Sequence, residues 1–226
     1  MKNDTKSLRI NAFFKILSLP VVFGIIFFLP AGTFDYWQGW TYMAVIGIPA
    51  IFVISYFIKH DPELMRRRLQ FKEKEDVQSR LVKFGSIFYL FIYLVPGFDK
   101  RYIWSSVPDW LVIVSDVMVF FGYMVCFVVF RQNSYASRIV EVEEGQKVIS
   151  TGLYSIVRHP MYVGVTIMFL FTPLALASYW AFFPATVIPV ILIIRILNEE
   201  KVLRKDLIGY IDYCNKTKYR LIPYIW

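Results

Sequence analysis

A chain of 226 residues that is 57% apolar and 19% aromatic, yet carries a formal net charge of +8, does not suit a soluble domain of this size. Its mean hydropathy of +0.51 belongs to a membrane protein. Long uncharged runs leave no stretch long enough for a separate soluble domain, so 1–226 reads as one integrated unit. Cys126 and Cys214 stand far apart without CxxC or metal-ligand spacing, which argues against a disulfide scaffold and against structural zinc.

In chain order, the stretches free of Asp, Glu, Lys, Arg and His are 16–34, 36–58, 84–98, 110–130 (broken only by Asp116) and 161–194. One span needs about 20 residues. The first, second and fourth runs satisfy that; 84–98 is short and draws on Leu81 and Val82, with Lys83 snorkelling toward the headgroups. The first run follows Lys2, Lys6, Arg9 and Lys15 but is long for a signal peptide and lacks an A-x-A site after it, so it counts as a retained span. The run 161–194 has 34 residues; as one straight helix it would reach about 51 Å, against a hydrocarbon core of ~30 Å. A break near Ala177–Pro184 and a tight hairpin of two short helices is expected instead. The fold expected is an all-α polytopic membrane bundle of about six transmembrane helices, five being the alternative.

Charge sets the orientation. The N-terminus carries 4 Lys/Arg, the 59–83 loop 8, the 131–160 loop 4 and the tail from Arg195 onward 7, while only Lys100 and Arg101 fall in the alternate loops. By the positive-inside rule both termini and the two long loops face the cytoplasm. The basic balance thus has a topological cause and gives no support to nucleic-acid binding. Arg66-Arg67-Arg68 reads as a solvated stop-transfer loop, with anionic lipid contact as the alternative. Asp116, six residues into its run, is expected in a hydrated interfacial position, and His60 beside Asp61-Pro62 at a helix terminus. The 59–83 loop looks helical and charge-rich, whereas irregular backbone is expected in 131–160.

Polar residues concentrate on the basic side of the last third. Arg158-His159-Pro160 precedes a span, with Pro160 suited to a first-turn helix position. Arg195, Glu199 and Glu200 follow the next span; Arg195 and Glu199 share a helix face, either as an ordinary i,i+4 salt bridge or as a pair able to hold a zwitterion. Arg158-His159 could equally be an interfacial anchor, and Tyr154, Tyr162, Tyr210, Tyr213 and Tyr219 an aromatic belt. The chain has no GxSxG, GxGxxG or Walker loop and no carboxylate or His cluster suggesting a metal.

Taken together, G-x-Y-x-x-x-R-H-P-x-Y-x-G at 152–164, R-x-x-x-E-E-x-x-L at 195–203, G-Y-x-x-Y at 209–213 and R-L-I-P at 220–223 resemble the isoprenylcysteine carboxyl methyltransferase family and its bacterial relatives. The resemblance covers roughly 130–226; phospholipid N-methyltransferases and sterol reductases carry similar RHPxY strings. It implies an integral membrane enzyme using S-adenosylmethionine, with 1–130 supplying N-terminal spans and 131–226 the cytoplasmic cofactor-binding region. Gln146, Lys147, Val148 and Ile149 match the stretch whose backbone lines the cofactor, and Tyr154, His159, Pro160, Met161 and Tyr162 the next contacts. Glu199 matches the cofactor-binding glutamate and Arg195 the arginine assigned to the substrate. Gln146 stands where eukaryotic members have histidine, so a role needing imidazole is not carried over.

The chemistry implied is methylation of a lipophilic or lipid-anchored acceptor among membrane lipids, with no metal. A carboxylate acceptor needs no general base, and Arg195 would orient it; an amine acceptor would need deprotonation, with Glu200 or Tyr162 as candidates. Carboxyl O-methylation is thus expected ahead of amine N-methylation. The other readings are an NADPH-dependent reductase of the sterol-reductase type, disfavoured by the short chain, and a non-enzymatic membrane scaffold or transporter subunit, disfavoured by spans almost empty of polar residues.

Overall fold

The computed structural model of the protein describes residues 2–69, 76–136, 142–143 and 145–226. The regular structure among them is helical: α1 (Lys2–Ala31), α2 (Trp37–His60), α3 (Pro62–Leu69), α4 (Asp76–Tyr102), α5 (Asp109–Gln132), α6 (Pro160–Ala175), α7 (Phe182–Asp206) and α8 (Tyr210–Lys216), with one 3-10 turn at Gly152–Ser155. The expected all-α membrane bundle is what forms. α2, α5, α7 and the stretch Gln78–Tyr102 of α4 are long and apolar enough to cross a membrane; Leu17–Ala31 and Pro160–Ala175 are shorter apolar helices. Among the described residues, four of the six expected spans thus meet the length and composition of a crossing helix. At 16 residues, α6 rises only about 24 Å.

The short run 84–98 lengthens as expected, and by more than two residues: α4 starts at Asp76 and carries Lys100 and Arg101 in its last turn. The break in 161–194 falls at Leu176–Ala181, and Pro184 is already inside the first turn of α7. A proline there gives up an N–H that has no helical partner in any case. Ala177 takes a left-handed backbone (φ 54°), and Ser178 N donates to Pro173 O at 2.8 Å. The hairpin is then fastened from outside: the fully buried Asp99 accepts from Ser178 Oγ (2.5 Å), Ser105 Oγ (2.6 Å) and Ser105 N (2.7 Å).

α5 is the most enclosed of the long helices and packs along α6 more extensively than any other pair. Glycine makes this possible. A Cβ on Gly122 would lie 2.6 Å from Gly164 O, and one on Gly164 would lie 2.6 Å from Gly122 O. The two backbones thus touch, as small residues permit between membrane helices. Deeper in, Tyr42 hydrogen-bonds Thr172 (2.8 Å) and Tyr93 (3.3 Å), joining α2, α4 and α6 around a core that includes Phe27 and Val119.

Three expectations change. Asp116 is not in a hydrated interfacial position: it is 6% exposed, and neither carboxylate oxygen has a hydrogen-bond partner. The helix α5 turns it inward, on the face of Val112, Ser115 and Val119. Arg66-Arg67-Arg68 is not a solvated loop but the last turn of α3, because Asp61 caps the helix through Leu64 N (3.0 Å) and Leu64 and Met65 bury against Val53 and Phe57. Residues 70–75 of the 59–83 connector lie outside the described residues. The five tyrosines do not form a belt either: Tyr162, Tyr210 and Tyr213 are buried, and Tyr154 is half-buried. His60 does end α2, its Nδ1 2.8 Å from Tyr56 O.

Candidate active site

The described residues between α5 and α6 are irregular apart from the turn at Gly152–Ser155, as the mixed polar and β-branched sequence predicts, and their course is fixed by a few bonds. Gly152 has φ 61°, and its missing side chain leaves room for Gln132, whose Oε1 accepts from Leu153 N at 3.0 Å. Asn133 caps α5 and donates to Tyr154 Oη at 2.9 Å. His159 is the N-cap residue of α6 and Pro160 begins it, so the Arg-His-Pro string sets the helix start. Arg158 N and His159 N donate to Tyr219 O and Arg220 O, both at 2.9 Å, which lays the C-terminal segment against this turn. Tyr213 Oη donates to Tyr154 O at 2.7 Å and ties α8 to the same place.

Beneath the turn sits a charged hub. Glu200, 3% exposed, receives Arg158 Nε at 2.6 Å and Arg220 Nε at 3.0 Å. Arg158 Nη1 also donates to Thr217 O and Lys218 O. Burial works against the charge on Arg158, but its bonds to Glu200 outweigh that and hold the guanidinium protonated. His159 Nε2 lies 3.4 Å from Glu200 Oε1 without hydrogen-bond geometry. Adjacent Glu199 points the other way, where Tyr162 Oη donates to its Oε2 at 2.7 Å and receives Arg195 Nε at 3.0 Å. A helix turns by about 100° per residue, so consecutive glutamates on α7 serve opposite sides. The spacing anticipated Arg195 and Glu199 on one face; the phenol of Tyr162 that joins them comes from α6.

Above this chain opens a cleft with an enclosed volume of about 110 Å³. All eleven residues matched through the resemblance line it: Gln146, Lys147, Val148, Ile149, Tyr154, His159, Pro160, Met161, Tyr162, Arg195 and Glu199. Asn133, Tyr135, Ala136, Arg158, Leu203, Leu207, Tyr210 and Tyr213 complete the wall, and the motifs gave no sign of Asn133, Tyr135, Ala136 or Leu207. Gln146 contributes structurally, its Oε1 accepting from Glu143 N at 2.9 Å. Burial pushes the Tyr154 phenol up to about 12, with the Glu199 carboxylate adding to the rise and the Asn133 bond opposing it, so it stays neutral. Tyr210 Oη is buried without a partner at the cleft wall.

The cleft therefore combines the Glu199 carboxylate, the guanidiniums of Arg158 and Arg195, the Lys147 ammonium, an unpartnered phenol and apolar side chains from Val148, Ile149, Leu203 and Leu207. That set suits a ligand that joins a charged arm to an apolar or aromatic body. Residues 110–207 match the family model for phospholipid methyltransferase. The match runs from α5 through α7 and includes both glutamates and the Arg-His-Pro turn. Together with the four long apolar helices it points to an integral membrane methyltransferase.

Proposed function

We propose that the protein is an S-adenosylmethionine-dependent methyltransferase that O-methylates a carboxylate on a lipophilic, isoprenylcysteine-like acceptor at the cytoplasmic face of the membrane. The observation that carries this reading is the Glu199–Tyr162–Arg195 chain on the cleft floor. S-adenosylmethionine supplies a methyl group on a sulfonium, already activated toward displacement. The residues fit it: Glu199 offers a carboxylate to an ammonium, while Val148, Ile149, Leu203, Leu207 and the unpartnered Tyr210 Oη offer apolar walls and a polar contact to a nucleoside. What is left for the protein is alignment and exclusion of water. Arg195, fixed through Tyr162, orients an acceptor carboxylate with a planar fork. Such an acceptor is ionised at neutral pH, and no side chain has to take its proton.

Glu200 supports the same choice. It was a candidate base for an amine acceptor, but its oxygens are held by Arg158 and Arg220 behind the cleft. The second reading, N-methylation of a phospholipid amine, is favoured by the family match over 110–207. Turnover of a long-chain carboxylic acid against phosphatidylethanolamine separates the two. A basic end facing the cytosol, where the cofactor is made, agrees with either.

The test is calorimetric titration of S-adenosylhomocysteine into the detergent-purified protein and its Glu199→Gln variant, with NADPH in parallel. Binding that the substitution weakens about tenfold, the scale of one charge-assisted contact, is expected; NADPH binding alone would transfer the protein to the reductases. Arg195→Lys keeps the charge and loses the fork, so kcat with the acceptor should fall while S-adenosylhomocysteine affinity holds. Equal loss of both would make Arg195 a structural residue.

A further inference from the structure

At the end of the bundle away from the cleft, α1 and α2 leave a groove of about 680 Å³ between them. Its lining is apolar apart from Thr33, with Val21, Ile25 and Leu29 from α1 and Met43 from α2. Glycine opens it: a Cβ added to Gly24 would meet nothing within 4 Å. The lip is held by packing within the wall. Between ring centroids Phe28 lies 4.5 Å from Trp40 and 5.4 Å from Phe34, and Trp40 Nε1 donates to Phe34 O at 3.1 Å. The groove is therefore formed before anything enters it, and the indole of Trp40 has no further N–H to offer.

Depth and charge decide what fits. From Pro20 to Gly32, its two ends on α1, the helix rises about 18 Å, against about 15 Å for half of a ~30 Å hydrocarbon core. That is the depth of one leaflet, which an acyl chain fills and a second spanning helix would overrun. Trp37, Trp104, Trp110 and Trp180, all exposed at this end of the bundle, mark the level of the mouth as the headgroup boundary. There Gly32 leaves α1 with a left-handed backbone (φ 67°), and the Arg101 guanidinium stands 3.7 Å from where its Cβ would be. Arg101 is exposed and lies 5.7 Å from the centre of the Tyr102 ring. Among the described residues no carboxylate pairs with it, nearby Asp99 being turned onto Ser105 and Ser178. An apolar groove one leaflet deep with a planar cation at its mouth matches a phosphate joined to an acyl chain.

We propose that this groove binds one acyl chain of a phospholipid in the leaflet away from the cleft, with Arg101 holding the phosphate. The test uses the full chain, freed of lipid in maltoside micelles, and two probes with the same diazirine-bearing acyl chains, a phosphatidylglycerol and a diacylglycerol. Photolabelling within residues 20–43 is read by mass spectrometry. The phospholipid should label the wild type about tenfold more than the diacylglycerol, the scale of one charge-assisted hydrogen bond. Arg101→Gln should bring it down to the diacylglycerol level, and Arg101→Lys should keep part of the difference. Gly24→Leu fills the groove and should lower labelling by both probes by about the same factor, because the chain loses its apolar wall. The new Cβ meets open space, so this variant should unfold at the wild-type temperature, read by tryptophan fluorescence. Equal labelling by the two probes, phospholipid labelling indifferent to Arg101→Gln, or labelling that survives Gly24→Leu overturns the proposal. So does disulfide capture of one copy by another through Gly24→Cys in phospholipid nanodiscs, which would give the groove to a second copy of the chain.

Discussion

The two ends of the bundle handle buried polarity in opposite ways. At the end where α4 meets the α6–α7 hairpin, Asp99 is buried and its described bonds are to Ser105 and Ser178 of adjoining loops, so the acid closes a joint. At the other end polarity is layered. Glu200 and its arginines form a sealed tier, and one residue away Glu199, Tyr162 and Arg195 form an open tier that lines the cleft. The difference teaches that a buried carboxylate is by itself no sign of a site; what matters is whether the space beside its partners is filled by protein or left open.

The largest expected effect breaks the sealed tier. Glu200→Gln removes the counter-charge of three arginines, Arg158, Arg204 and Arg220, of which Arg158 is buried, and should cost about 3–5 kcal/mol of stability, read as reversible unfolding in mixed detergent; a loss below about 1 kcal/mol would mean the hub is solvated. Asp99→Asn at the opposite end should cost about 1.5–3 kcal/mol, the range for bonds to a charged acceptor, and leave S-adenosylhomocysteine affinity where it was. If that affinity fell instead, the two ends would be coupled through α4 and α7, and the contrast between joint and site would fail. Smaller again, Gly164→Ala forces a methyl group into the α5 backbone and should cost about 1–3 kcal/mol, with a matching loss at Gly122→Ala. Because α6 carries Met161 and Tyr162, the shift should also show as weaker cofactor binding, which a purely local strain would not give.

Much of the site was legible from residue order. Pro160 after Arg-His marks a helix start because its ring suits only the first turn, and the four-residue step from Arg195 to Glu199 fixes a shared face. The functions of Arg158 and Glu200 were not legible, since both are set by strands of chain far apart in sequence: the Thr217–Arg220 segment returns to meet them. Arg68 was misread for the same reason. A triple-arginine string looks solvated until Leu64 and Met65 find a core on α2.

Sequence alone determined that this chain lives in a membrane, how its apolar runs divide, which end is basic, and which short motifs gather there. Those properties follow from local hydropathy, helix rise and proline geometry, each of which acts within a few residues. Only the tertiary structure decided that Asp116 is buried, that Glu199 and Glu200 part company, and that Arg101 stands at the mouth of the α1–α2 groove. Each of those outcomes depends on which helix faces which. The glycine contact between α5 and α6, where the two backbones meet, is one such pairing.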